Sequence, residues 1–144
     1  MSQSGTCLCG GVTYTIKSKV TETRACHCGM CRKWSGGVYL GIQVAADQFE
    51  ISGADTLTTF TSSPWAERAF CTTCGCNIYS RITAPGPHFG THYIGLGTLD
   101  DPNGIALSGE IYIDKKPDGY AFANDTHKMT EAEIMAMFAP SVEV

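Results

Sequence analysis

Apolar and polar residues alternate along this chain in short runs, and glycine or proline separates the runs. Val12-Thr-Tyr-Thr-Ile16 puts Val12, Tyr14 and Ile16 on one side and the threonines on the other, the period-two signature of a half-buried strand. Residues 38–44 are more continuously apolar and predict a further strand. Residues 56–61 and 66–70 flank Ser62-Ser63-Pro64, which reads as a turn, and strands are expected at 77–82, 92–96 and 110–113. Short strands broken by 16 glycines and 6 prolines predict an all-β domain of one or two small antiparallel sheets.

A single short helix is signalled, at the C-terminus. Thr130-Glu-Ala-Glu133 is a capping box with Thr130 at N-cap and Glu133 at N3, and Met129 and Ile134 are spaced for a hydrophobic staple. Ile134, Met137 and Phe138 form an apolar stripe, Met135 and Met137 read as core residues, and Pro140 is expected to stop the helix. Residues 84–90 read as a plain connection. With no repeat, linker or low-complexity tract, residues 1–144 are read as a single domain.

Composition narrows the class. A chain of 144 residues can bury about two thirds of its unfolded surface, so it needs no metal merely to compensate for small size. Hydrophobic residues make up 43% and charged residues 17%, which excludes a disordered chain. No apolar run approaches the roughly 18 residues of a membrane span, and residues 1–5 lack the basic and apolar regions of an export signal. Eight cysteines without such a signal point to the reducing cytoplasm and to metal ligation rather than disulfides. The formal charge is −4, and seven thiolates on two divalent ions would make it −7. That balance argues against nucleic acid or an anionic membrane as partner.

The cysteines are bunched as Cys7-x-Cys9, Cys26-x-Cys28-x-x-Cys31 and Cys71-x-x-Cys74-x-Cys76. Zinc binds thiolates at about 2.3 Å in a tetrahedron, so its ligands must converge from short turns. In a strand, Cys7 and Cys9 would face the same side. Cys71-x-x-Cys74-Gly75 has the zinc-knuckle spacing, in which the glycine can take the positive φ of a tight turn. Together these four predict a closed, structural zinc site. Cys26, Cys28 and Cys31 supply three thiolates, which leaves a fourth position for water or an incoming thiol, as in a catalytic zinc site. The alternative is a second closed site completed by Cys76 or a histidine. His27, His88, His92 and His127 are all left outside the ligand set. Arg32-Lys33-Trp34 follows the middle cluster directly. It reads either as a solvated edge with one packed aromatic or as a cationic rim which, with Arg24, would hold the carboxylates of an anionic thiol.

Gly5-Thr-Cys-Leu-Cys-Gly-Gly-Val12, Cys26-His-Cys-Gly-Met-Cys-Arg-Lys33, Arg68-Ala-Phe-Cys-Thr-Thr-Cys-Gly75 and Gly97-Thr-Leu-Asp-Asp-Pro102 together resemble the glutathione-dependent formaldehyde-activating enzyme family, which includes the centromere protein V domain. The resemblance covers residues 5 to about 115. It implies a zinc-bearing β-tent, structural zinc at Cys7, Cys9, Cys71 and Cys74, and a more labile zinc at Cys26, Cys28 and Cys31. It also implies a carbon–sulfur lyase that joins glutathione and formaldehyde as S-(hydroxymethyl)glutathione. The chain departs from the family at Cys76, where Ser or Thr is common. Two competing readings remain: a zinc-stabilised binding module without catalysis, and a thiol redox enzyme using Cys76. Exposed edge strands make a homodimer compatible with any of the three.

Overall fold

The computed structural model of the protein describes the backbone of residues 3–142 and the side chains of residues 3–137. The backbone forms strands β1 (Gln3–Thr6), β2 (Thr13–Ile16), β3 (Glu22–Cys26), β4 (Tyr39–Val44), β5 (Phe49–Ser52) and β6 (Leu57–Ser63). They are followed by β7 (Ala66–Cys71), β8 (Asn77–Ile82), β9 (His92–Gly95), β10 (Ala106–Ile111) and β11 (His127–Met129). Helix α1 (Gly29–Ser35) lies between β3 and β4, and α2 (Glu131–Val142) follows β11.

The strands make two sheets, as the alternation predicts, but not two small ones. A three-stranded antiparallel sheet has the order β1-β2-β5, and an eight-stranded sheet has the order β11-β10-β3-β4-β9-β8-β7-β6. The larger sheet is mixed, because β10 runs parallel to both β3 and β11. The core lies where the sheets meet. Val12, just before β2, and Tyr14 and Ile16 of the small sheet pack with Ile42, Val44, Ala69, Ile78 and Ile94 of the large one. Burial of this apolar surface is the main favourable term in folding.

Several boundaries differ from the sequence expectation. Ser62 and Ser63 belong to β6, and the turn falls on Pro64-Trp65 instead. α1 is a second helix that the sequence pattern does not signal, a seven-residue element opened by Cys28 as N-cap and closed by Gly36. The capping box of α2 forms as expected: the Thr130 N–H donates to Glu133 Oε1 at 2.8 Å and the Glu133 N–H to Thr130 Oγ1 at 3.2 Å. Pro140 does not end the helix, which continues to Val142. Proline removes one hydrogen bond from a helix without obliging the chain to leave it. Ile134 is buried, but Met135 and Met137 are exposed rather than in the core, because over the described residues 131–137 the helix turns Ile134 inward and its neighbours out. The reading of Phe138 falls outside the described side chains.

Candidate metal centres

The first centre is built at two tight turns. Cys7 follows β1, and the chain reverses at once, with the Gly10 N–H donating to the Cys7 carbonyl at 3.1 Å. Cys71 ends β7 and reverses in the same way, with the Gly75 N–H reaching the Cys71 carbonyl at 2.7 Å. Gly75 has φ 75°, the left-handed region that the knuckle requires and that other residues adopt only at a cost. Cys9 therefore lies in a turn and not in the extended strand on which its expected direction rests. The sulfurs converge all the same. Cys7 Sγ is 3.6 Å from Cys9 Sγ, and Cys9 Sγ is 3.7 Å from Cys71 Sγ. All four ligand atoms of Cys7, Cys9, Cys71 and Cys74 lie within 4.8 Å of one another. Four thiolates at about 2.3 Å from a tetrahedral centre stand about 3.8 Å apart, so the donor set fits such an ion.

The electrostatics agree with that fit. Burial opposes ionisation of Cys7, but the Val12 N–H and the neighbouring sulfurs outweigh it and bring its pKa down to about 6. Although the Gly11 backbone favours its thiolate, Cys9 is pushed up to about 12 by the Cys7 sulfur, burial, and the sulfurs of Cys71 and Cys74. Sulfurs this close share protons when no cation compensates them, and a divalent ion would take the protons' place.

The second centre sits where β3 runs into α1. Cys26 is the last residue of β3, Cys28 caps α1, and Cys31 lies in its first turn. Cys28 Sγ accepts the Cys31 N–H at 3.3 Å, so one sulfur is both a helix cap and a candidate ligand. The three ligand atoms lie within 4.8 Å of one another. Hydrogen bonds from the Cys26 and Cys31 sulfurs hold Cys28 down to about 2, while the sulfurs of Cys28 and Cys31, then burial, push Cys26 up. Among the described residues, no His, Cys, Asp or Glu joins these three as a fourth donor.

Two neighbours of this centre go unsignalled in the sequence. Arg68, from β7, is buried and places both terminal guanidinium nitrogens 3.7 Å from Cys31 Sγ. Its guanidinium also lies 5.2 Å above the Trp34 ring. In the sequence Arg68 reads as one of several scattered cations, although it stands three residues before Cys71 inside a cysteine motif. The second neighbour is Glu110 of β10, fully buried, which meets the equally buried His27 at 2.9 Å and accepts the Thr126 hydroxyl at 2.6 Å. His27 thus points away from the cluster, as its position between two ligands suggests. No local pattern in the sequence links residues 27 and 110; β10 brings them together by pairing in parallel with β3.

Arg32 and Lys33 line an open groove of about 560 Å³ with Gly36, Gly37, Val38, Pro117 and Tyr120. The groove and the second centre share helix α1, on which Arg32 follows Cys31, and the Tyr120 ring on its far wall stands 6.4 Å from that of His27. Arg24 does not line it. Its guanidinium is engaged by Glu22 at 3.0 Å and Gln43 at 3.1 Å in a different surface depression. Cys76 stays outside both clusters, and burial pushes its thiol up. His92 packs between Phe49 and Tyr79, and His127 is exposed.

Fold and site define a two-sheet β protein with one four-cysteine and one three-cysteine centre, each able to hold a metal ion. Comparison with known proteins gives the same class a family. The profile of the glutathione-dependent formaldehyde-activating enzymes matches residues 2–115. The chain is 30% identical over 132 residues to an uncharacterised lyase of Schizosaccharomyces pombe, covering 91% of this chain and 93% of that protein. It is 29% identical over 93 residues to a Podospora anserina protein named provisionally as a glutathione-dependent formaldehyde-activating enzyme. That match covers 61% of this chain and 43% of the relative, so the chain spans less than half the relative's length. A crystal structure of a Rhodobacter sphaeroides protein shares the fold, with TM-score 0.57 and 20% identity over 73% of this chain and 99% of the other. The protein belongs to the glutathione-dependent formaldehyde-activating enzyme family.

Proposed function

We propose that the protein is a zinc-dependent carbon–sulfur lyase acting on the adduct of a small thiol, such as glutathione, with a small carbonyl, such as formaldehyde. The observation that carries the reading is the three-sulfur centre beside a groove lined by Arg32 and Lys33. Cys7, Cys9, Cys71 and Cys74 would hold a structural zinc, and Cys26, Cys28 and Cys31 a second one. Bound there, zinc would lower the pKa of a thiol or water at its free position.

The chain's own residues do the rest. Arg32 and Lys33 present two cations to the carboxylates of an anionic thiol, which brings its sulfur to the mouth of the centre. In the addition, a carbon–sulfur bond forms at the carbonyl carbon and the proton leaves sulfur for the carbonyl oxygen; the lyase direction reverses both. Positioning the two reactants turns an encounter into an effectively intramolecular step. The His27–Glu110 pair fixes the backbone between Cys26 and Cys28, so the two sulfurs keep their spacing. The redox alternative is disfavoured, because a reactive cysteine needs a lowered pKa and Cys76 has a raised one.

The test is magnetisation-exchange NMR of glutathione with formaldehyde, with and without zinc-loaded protein. Faster interconversion of free and adduct species is expected, together with its loss in Arg32→Ala/Lys33→Ala. An unchanged exchange rate, with no calorimetric binding of glutathione at millimolar concentration, would favour the non-catalytic binding module.

A further inference from the structure

We propose that Arg68 is the positioning residue of the second centre, acting through Cys31; this deepens the metal reading given above and rests on it. Three thiolates around a divalent ion leave one uncompensated negative charge. Four thiolates at the first centre leave two, but there Cys9 is exposed and Cys74 half-buried, so water reaches part of that site. At the second centre Cys31 is buried, and charge left unpaired inside a protein is costly. Arg68 meets that need. It is 5% exposed, it carries one permanent positive charge, and it directs both terminal nitrogens at Cys31 Sγ from 3.7 Å.

The placement of the guanidinium is over-determined. β7 delivers it from below, and the Trp34 ring covers it at 5.2 Å. Trp34 lies one helical turn beyond Cys31 on α1, and its carbonyl accepts the Asn77 side chain at 2.9 Å. The helix that carries the ligand therefore also carries the lid over the cation. Two N–H···S contacts from a cation draw electron density from Cys31, where Cys28 accepts a single neutral backbone N–H, so the Cys31 sulfur donates less strongly to a metal. Arg68 thereby makes a buried anionic centre tolerable and sets how tightly its ion is held. Arg32 and Lys33 do not duplicate this role, because they face the groove. Partners one step behind a ligand typically change metal affinity by roughly 10–100-fold.

The experiment fills the second centre with Co(II), keeps zinc at the first, and titrates with a chromogenic chelator. Arg68→Gln should retain the first zinc and the wild-type circular dichroism. It should release Co(II) at roughly 10–100-fold lower chelator strength, and its thiolate-to-cobalt charge-transfer band should move to lower energy. Arg68→Lys should recover part of the affinity, since it restores the charge but not the fork. Trp34→Leu, which leaves β7 untouched, should give a smaller loss of roughly two- to fivefold. Wild-type-like affinity and an unmoved band in Arg68→Gln overturn the role, as does equal weakening of both centres. If neither Arg68 variant folds, wild-type affinity and spectrum in Trp34→Leu overturn it. A wild-type chain that takes up a single ion sinks the two-ion reading and this role together; two ions with unaltered variants sink this role alone.

Discussion

His92 shows what burial does to a single residue. Its ring stands 4.6 Å from Phe49 and 4.7 Å from Tyr79. Burial, then the positive charge of Arg81, lower its pKa to about 4 against a slight opposing contact from the Gly90 backbone. The unfolded chain takes up this proton near pH 6.5 and the folded chain only near pH 4. The stability it contributes is complete above pH 6.5 and falls as pH drops from 6.5 to 4. Denaturant unfolding of wild type and His92→Phe at several pH values should show a shallower slope in that window for the variant; parallel curves would contradict the assignment. At Glu110 burial opposes the net shift instead of causing it. Burial raises its pKa, but the Thr126 hydroxyl and the His27 ring outweigh it and hold the carboxyl below its ordinary value. Glu110→Ala should cost about 2–4 kcal/mol by stranding the buried His27 and the half-buried Thr126, and Glu110→Gln clearly less. A loss under about 1 kcal/mol in equilibrium unfolding of the alanine variant would rule out a paired role. Neither residue's role is legible in the sequence. Alternation marks a strand, but it does not say which distant element covers its face.

At the scale of elements, legibility follows side-chain pattern. The sequence marks β8 from Asn77 to Ile82, because it is a short run with Ile and Tyr set between glycine and proline breaks. β1 escapes, because Gln-Ser-Gly-Thr has no apolar rhythm, and its strand character comes from pairing with β2. β3 escapes for the same reason: Glu22 and Arg24 sit on its exposed side, with only Thr23 and Ala25 buried. α1 is too short for periodicity, and its N-cap is a cysteine, which no capping rule looks for. α2 is announced by its capping box, yet Met137 of its expected apolar stripe is exposed. Among the described residues Ile134 is its buried side chain, with polar support from the Glu131 N–H on Asp114 at 2.9 Å and from Lys115 on the Glu131 carboxylate at 3.4 Å. Ile134→Ala should therefore release α2 locally and cost about 2 kcal/mol, the low end for a buried isoleucine, because a terminal helix can loosen without unfolding the rest. Hydrogen exchange should show lost protection over residues 131–137 and unchanged protection in β8. Equal loosening of both would mean that α2 is integral to the core.

At the scale of the molecule, the two centres do different mechanical work. The first joins Cys7 and Cys9, at the end of β1 in the small sheet, to Cys71 and Cys74, at the end of β7 in the large one. Cys9 and Cys71 are 62 positions apart, so an ion there closes a long loop and clamps one sheet to the other. The second draws all its sulfurs from residues 26–31 and closes almost nothing. This division is legible in the cysteine spacing alone, since the convergence of thiolates is chemistry written into short intervals of chain. The Arg32-Lys33 rim is legible too, because it follows Cys31 directly; Arg68 and the far wall of the groove at Pro117 and Tyr120 are not, because folding alone brings them there. Structural zinc contributes on the order of 10 kcal/mol or more, comparable to the roughly 5–15 kcal/mol net stability of a whole domain. Cys74→Ser should therefore give an unfolded or aggregating chain. Cys28→Ser should stay folded, lose its second ion and its effect on thiol–formaldehyde exchange, and give up only the modest stability of a helix cap, about 1 kcal/mol. Thermal melting with elemental analysis on both variants is the check. If Cys28→Ser melts as early as Cys74→Ser, the second centre is holding the fold together, and the proposal that it serves catalysis loses its footing.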